Sequence, residues 1–258
     1  METGRQTGLD SFRDWFAAYA DQYVIIGGTA CDLLMDQAGL DFRATKDIDL
    51  VLLTEKLDPS FSQRFREYIE SGGYQHIKTG SDQFQYYRFD RPRSREFPYR
   101  LELFAPRSSF DLLPPDIIKA PLDIDDGISG LSAILLDDDQ VHCILAGVTM
   151  IEGLPVLKAS CLIPLKIRAW ISLVRQKKEG KYVQSKDISK HKNDVFRLSV
   201  LLAAGSAAPL PWRLYEELNT FLDVMASEVV DLRACGLAGQ EKQVVIDRIR
   251  RAYRCEDF

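Results

Sequence analysis

The feature that most constrains this chain is a short ordered set of residues near its start. Tyr23 to Ile26 is a β-rich run that ends at Gly27-Gly28. Thr29 then opens an apolar-periodic stretch to about Ala38, which reads as a helix with Thr29 as its N-cap and Gly39 as its stop. Ile48 to Leu53 returns to strand composition, led by Asp47-Ile48-Asp49. Two glycines let a backbone approach an anion with no Cβ in the way. A helix starting at Thr29 points free N–H groups and its positive end at the same place, and the Thr29 hydroxyl adds one donor. On a strand, residues two apart share a face. Asp47 and Asp49 therefore project together, while Ile48 and Leu50 turn toward a core. Two carboxylates on one strand face are oxygen ligands suited to Mg²⁺.

A third acid completes the set. In Tyr99-Arg100-Leu101-Glu102-Leu103-Phe104 the leucines alternate, so Glu102 faces away from the core. Taken singly these features are ordinary: a Gly-Gly before a helix is usually a tight turn, and an Asp-x-Asp is usually two solvated acids. Their order is what carries weight, because one geometry is demanded from three places.

Around this set the periodicity predicts helices at 9–20 and from Pro59 to Gly72, and strands at 84–89 and 99–104. The polar loop between those strands carries Arg91, Arg93 and Arg95. The stretch 105–128 is rich in Pro, Asp and Gly and marks a boundary. Strand-like segments follow at 131–136 and 141–145. From Pro164 onward the pattern is helical, at 164–178, 188–204, 211–231 and 239–254. The expected architecture is α/β plus α: residues 1–110 form a small mixed sheet flanked by helices, and residues 111–258 a connecting β segment with a mainly helical part that completes a cleft. The last 50 residues are informative only as helices.

Composition excludes several classes. About 46% of the 258 residues are apolar and 28% charged, as in a globular protein. No apolar run approaches the roughly 20 residues of a membrane span. The amphipathic N-terminal segment is unlike a secretory leader, so a cytoplasmic, membrane-free protein is expected. The five cysteines show no C-x-x-C spacing and read as reduced packing residues. The net charge of −5 argues against nonspecific nucleic-acid binding by the whole surface. A local excess at Lys177, Lys178, Lys181, Lys186, Lys190, His191 and Lys192 reads either as a solvated surface or as a phosphate-binding patch.

The residues Gly27-Gly28-Thr29 and Arg43-Ala44-Thr45-Lys46-Asp47-Ile48-Asp49-Leu50 resemble the signature of the DNA polymerase β-like nucleotidyltransferase superfamily. The Arg-x-Thr-x-Asp-Ile-Asp-Leu form looks most like its AbiEii/AbiGii toxin-type branch. The resemblance implies that Gly27, Gly28 and Thr29, with Arg43 and Thr45, hold a nucleoside triphosphate. It implies that Asp47, Asp49 and Glu102 are the catalytic acids, binding two Mg²⁺ (or Mn²⁺) ions. The gap between Thr29 and Asp47 is longer than usual, with Leu40-Asp41-Phe42 as an apparent extra loop, and Glu102 stands where Asp is commoner.

In the back half, Lys166 followed by Ala169 is similar to the branch's helical lysine motif. Lys190-His191-Lys192-Asn193-Asp194 resembles its basic-then-aspartate motif, with Arg197 in place of a second aspartate. The resemblance implies nucleotide contacts for Lys166, Lys190, Lys192 and Asp194. By spacing alone, Lys190 and Asp194 lie four apart and read as a surface ion pair, and His191 as a polar surface residue. The implied activity is transfer of a nucleotidyl group from an NTP to a hydroxyl on tRNA, a protein or a small molecule, with an antitoxin partner. The alternatives are an antibiotic-type small-molecule transferase and a catalytically silent nucleotide-binding or interaction module.

Overall fold

The structure is a computed structural model that describes residues 7–53, 55–78, 84–106 and 135–256. Helix α1 (Thr7–Phe16) leads into β1 (Tyr23–Ile26), α2 (Gly27–Gln37), β2 (Asp47–Leu52) and α3 (Pro59–Gly72). Then come β3 (Gln75–Lys78), β4 (Phe84–Asp90), β5 (Arg100–Pro106), β6 (Leu135–Leu136), α4 (Asp138–Ala146), β7 (Val148–Ile151) and β8 (Leu154–Leu157). Four longer helices follow: α5 (Ala159–Lys178), α6 (Ser185–Leu198), α7 (Trp212–Ser227) and α8 (Lys242–Ala252). The strands form a mixed open sheet in the order β3-β4-β5-β2-β1-β8-β7, with β6 beside β5. The α/β plus α architecture expected from the sequence is the one observed.

The chain divides into two compact units. The first comprises residues 1–32, 43–138 and 149–156, and the second residues 33–42, 139–148 and 157–258.

In the first unit, α1 and α3 meet through an aromatic cluster. Phe12 and Phe16 stack at 4.5 Å, Tyr68 lies edge-on to both, and Tyr23 of β1 meets Phe12 at 5.5 Å. Each such pair contributes about 0.5–1.5 kcal/mol beyond its area burial. Asp58 caps α3, its carboxylate accepting from the Phe61 N–H at 2.9 Å, and Pro59 fills the first helical position, where its missing N–H costs nothing. Gly73 closes α3 in the left-handed region, φ +58°.

In the second unit, Phe221 of α7 packs against Trp170 of α5 at 5.1 Å and Phe196 of α6 at 6.4 Å. Val245, Ile246 and Ile249 give α8 its buried side.

Three expectations change here. Residues 141–145 form helix α4 and not a strand: a short apolar run fits either period, and the acids Asp138 and Asp139 in its first turn complement the helix dipole. Helix α5 begins at Ala159, so Pro164 lies inside it and does not open it. The carbonyl that Pro164 leaves without its i+4 donor belongs to Ser160, and the Tyr253 hydroxyl donates to that oxygen at 2.9 Å. Helix α2 begins at Gly27, two residues before the expected cap, because φ +70° at Gly27 turns the chain directly from β1 into helix. The expected boundary and strand at 105–136 fall mostly on 107–134, outside the described residues.

Candidate active site

The site face of the sheet is built by register. Strand β2 pairs parallel with β5, bringing Asp47 opposite Arg100 and Asp49 opposite Glu102. Strand β4 pairs antiparallel with β5, bringing Arg88 opposite Glu102 and Asp90 opposite Arg100. Partners in register share a face, so two rows cross three strands: Asp47, Arg100, Asp90 and, beside it, Asp49, Glu102, Arg88. The alternate residues Ile48, Leu50, Leu101, Leu103 and Phe89 are all buried on the opposite face.

Strand β1 supplies the turn. Ile26 pairs with Asp49, so Gly27 follows directly beside that carboxylate. A Cβ added at Gly27 would overlap the Asp49 side chain, and a Cβ at Gly28 would lie 3.0 Å from Thr45 Oγ1 and 3.3 Å from Arg43 Nη2. Gly27, Gly28, Arg43, Thr45 and Asp49 are thus in one place. Thr29 is buried, and its hydroxyl donates to the Asp47 carbonyl at 2.5 Å. Thr29 therefore ties the first turn of α2 to the start of β2; it neither caps the helix nor directs its hydroxyl to an anion.

The acids are balanced by two arginines that sequence reading passed over. Arg88 Nε lies 2.6 Å from Glu102 Oε1, buried, but its N–H is not aligned for a hydrogen bond. Arg100 Nε donates to Asp90 Oδ1 at 2.5 Å, and its Nη1 lies 3.7 Å from Asp47 Oδ2. Asp90 is fully buried, and its Oδ2 has no hydrogen-bond partner among the described residues. Partial burial works against the charge on Arg100; the Asp90 hydrogen bond and the charges of Asp90, Asp47 and Glu102 outweigh it, raising its pKa above the ordinary value. The missed signal was strand parity: Phe89 points to the core, so Arg88 and Asp90 had to share the face of Glu102.

The donor set suits a hard divalent cation, since all three acids offer carboxylate oxygen. Among the described residues, no three such groups are gathered closely enough to hold a metal ion. Glu102 has the Arg88 guanidinium as its close partner instead.

In the second unit, the Lys166 ammonium donates to Asp194 Oδ2 at 2.9 Å, and Arg197 Nη1 lies 3.2 Å from Asp194 Oδ1. Lys166 and Asp194 are both buried. The ion pair of Asp194 therefore runs to Lys166 and Arg197 and not to Lys190, which is exposed on α6. A buried charge demands a close, desolvated partner, and a solvated lysine one turn away does not supply it. Lys192 is half-buried and lies 3.4 Å from Glu228, and His191 is half-buried. Phe42 is buried, with the Arg197 guanidinium 5.8 Å from its ring centre, so the end of the apparent extra loop is packed.

A family model described as "Nucleotidyl transferase AbiEii toxin, Type IV TA system" matches residues 12–191, more than half of the chain. The chain belongs to the AbiEii nucleotidyltransferase toxin family. Comparison with curated proteins and with solved structures returned no match. The matched range takes in the glycine turn, the three acids and Lys166. It ends at His191 in α6, before Asp194. No helix among its described residues is long and apolar enough to cross a membrane.

Proposed function

We propose that this chain is a metal-dependent nucleotidyltransferase that moves a nucleotidyl group from an NTP to a hydroxyl on tRNA. The observation that carries the reading is the register of β2 and β5, which sets Glu102 opposite Asp49 on the face it shares with Asp47, with Asp49 against Gly27 of the turn. Asp47 and Asp49 would hold the divalent cation, Mg²⁺ or Mn²⁺, and Glu102 joins them on leaving Arg88. When bound, the cation would lower the pKa of the acceptor hydroxyl and offset charge on departing pyrophosphate. Gly27 and Gly28 let the polyphosphate approach the backbone, with Arg43 and Thr45 beside them. Glu102 takes the proton of the attacking hydroxyl. The new bond joins the acceptor oxygen to the α-phosphorus, the α–β phosphoanhydride breaks, and pyrophosphate carries away the bonding pair. An antitoxin counters the activity in the cell.

An RNA acceptor is favoured by Lys177, Lys178, Lys181, Lys186 and Lys190, all exposed on α5, α6 and their connection, with Tyr182 exposed among them. The net charge of −5 favours a small-molecule acceptor instead. Incubation with α-labelled NTPs, Mg²⁺ and either bulk tRNA or a panel of hydroxylated small molecules separates the two. Label is expected on tRNA, and Asp47→Asn is expected to lower transfer by at least about a hundredfold, the scale of losing an electrostatic stabiliser of the transition state. Asp47→Asn transfer at the wild-type rate would sink the metal-site reading. Tight NTP binding with no acceptor labelled would point to a silent module.

A further inference from the structure

Arg100 stands at the centre of the polar face of the sheet, with Asp47 on one side of it in register and Asp90 on the other. Its Nε is bound by Asp90 and lies 3.8 Å from Glu102 Oε1. Its Nη1 is 3.7 Å from Asp47, an ion contact too long for a hydrogen bond. Neither Nη nitrogen has a hydrogen-bond partner among the described residues. A guanidinium has five donors in a planar fork, and here one is anchored in the interior while the two-nitrogen end is unspent. The side chain is 29% exposed and its anchor 0%. A fully buried carboxylate is costly unless it is paired, so Asp90 is a fixed post and Arg100 the arm it holds. This arm lies beside two of the three acids at which a triphosphate and its cation would meet.

We propose that Arg100 is a triphosphate-binding residue of this site and that Asp90 is the residue that positions it. The proposal rests on the nucleotidyltransferase reading and adds a ligand to it. Without nucleotide, Arg100 offsets the repulsion between Asp47 and Glu102. When the polyphosphate enters with its cation, the Nη donors turn to phosphate oxygens, for which a planar fork is suited. Asp90 keeps Nε throughout, so only one end of the side chain changes partner. Arg100 thus competes with a cation at the acids and cooperates with a polyphosphate.

The two roles have opposite signs, which a merely structural residue would not show. The full chain is titrated with Mn²⁺ alone, followed by electron paramagnetic resonance. It is then titrated with non-hydrolysable analogues of the four NTPs at saturating Mn²⁺, followed by calorimetry. Arg100→Met is expected to bind Mn²⁺ more tightly and the preferred analogue roughly tenfold more weakly, the scale of losing one charge-assisted pair. Asp90→Asn is expected to weaken the analogue too, but to add nothing in the Arg100→Met background, because Asp90 acts through Arg100. If Arg100→Met does not fold, Arg100→Gln gives the same two readouts. Parallel weakening of Mn²⁺ and analogue, or an Asp90→Asn effect that persists undiminished without Arg100, overturns the proposal. A wild-type chain that binds no analogue overturns the nucleotidyltransferase reading with it, whereas wild-type binding with unaltered variants overturns this proposal alone.

Discussion

At Gly27 two constraints coincide. Its φ of +70° is costly for any residue with a Cβ, and the space a Cβ needs holds the Asp49 carboxylate. Gly39 has the same φ of +70° but open space around it. The two glycines therefore separate backbone strain from steric conflict. Gly39→Ala is expected to lower stability by about 1 kcal/mol, the left-handed cost alone, and to leave nucleotide binding unchanged. Gly27→Ala is expected to cost roughly 2–3 kcal/mol in urea denaturation and to weaken Mn²⁺-dependent NTP-analogue binding as well, because Asp49 must move. Equal behaviour of the two variants in both measurements would contradict the close approach of Gly27 to Asp49. The parity of Asp47, Asp49 and Glu102 was legible at this scale, because a strand alternates with period two. The same parity gives the face of the two arginines, but not which acid each stands opposite, since that is decided by pairing between strands far apart in the chain.

Among the elements, α5 shows why helix boundaries escape a sequence reading. Pro164 is read as a helix start, since a missing N–H is harmless only in the first turn. The structure keeps it in the sixth position, because Tyr253, from just beyond α8, supplies the hydrogen bond that Pro164 cannot. A partner 89 residues away leaves no local mark. Tyr253→Phe is expected to destabilise the chain by about 1–2 kcal/mol in urea denaturation, the cost of a partly buried carbonyl left bare. In a Pro164→Ala background, which restores the helical donor, that loss should shrink. An undiminished loss would mean that Tyr253 acts through packing and not through Ser160. Helix α3 offers a pH test. Hydrogen bonds from Ser60, the Phe61 N–H and Gln22 lower the pKa of Asp58 below its ordinary value of 3.8. Being lower in the folded chain, this pKa adds stability that is present above 3.8 and lost as pH falls through the folded value. Asp58→Asn is therefore expected to flatten the stability profile in that acid range and to leave it parallel to wild type at neutral pH, as read by denaturation at a series of pH values.

For the whole molecule the leading fact is a charge of −5 beside a concentrated basic surface. An acidic chain gains nothing from RNA by its average field. Any tRNA affinity has to come from local cations that touch phosphate. The exposed lysines of α5, α6 and their connection form one such group, although Glu179 lies among them, 3.6 Å from Lys181 and 3.9 Å from Arg175. Lys177 is partly engaged, donating to Ser185 at 2.8 Å. Lys178, Lys186 and Lys190 make no such contact among the described residues and are the better probes. Each phosphate contact on a duplex contributes a slope of about −0.9 to log K against log salt. If this surface holds tRNA, Lys178→Gln and Lys186→Gln together should weaken binding and reduce the magnitude of the salt slope by roughly 2, as measured by anisotropy with labelled tRNA between low and physiological salt. NTP-analogue binding should be unchanged, because neither lysine belongs to the acid site. A salt slope that is the same with and without these lysines would move the tRNA elsewhere on the surface. Tightly saturable transfer to a small hydroxylated acceptor, with no salt dependence of that kind, is what the acidic charge alone would lead one to expect.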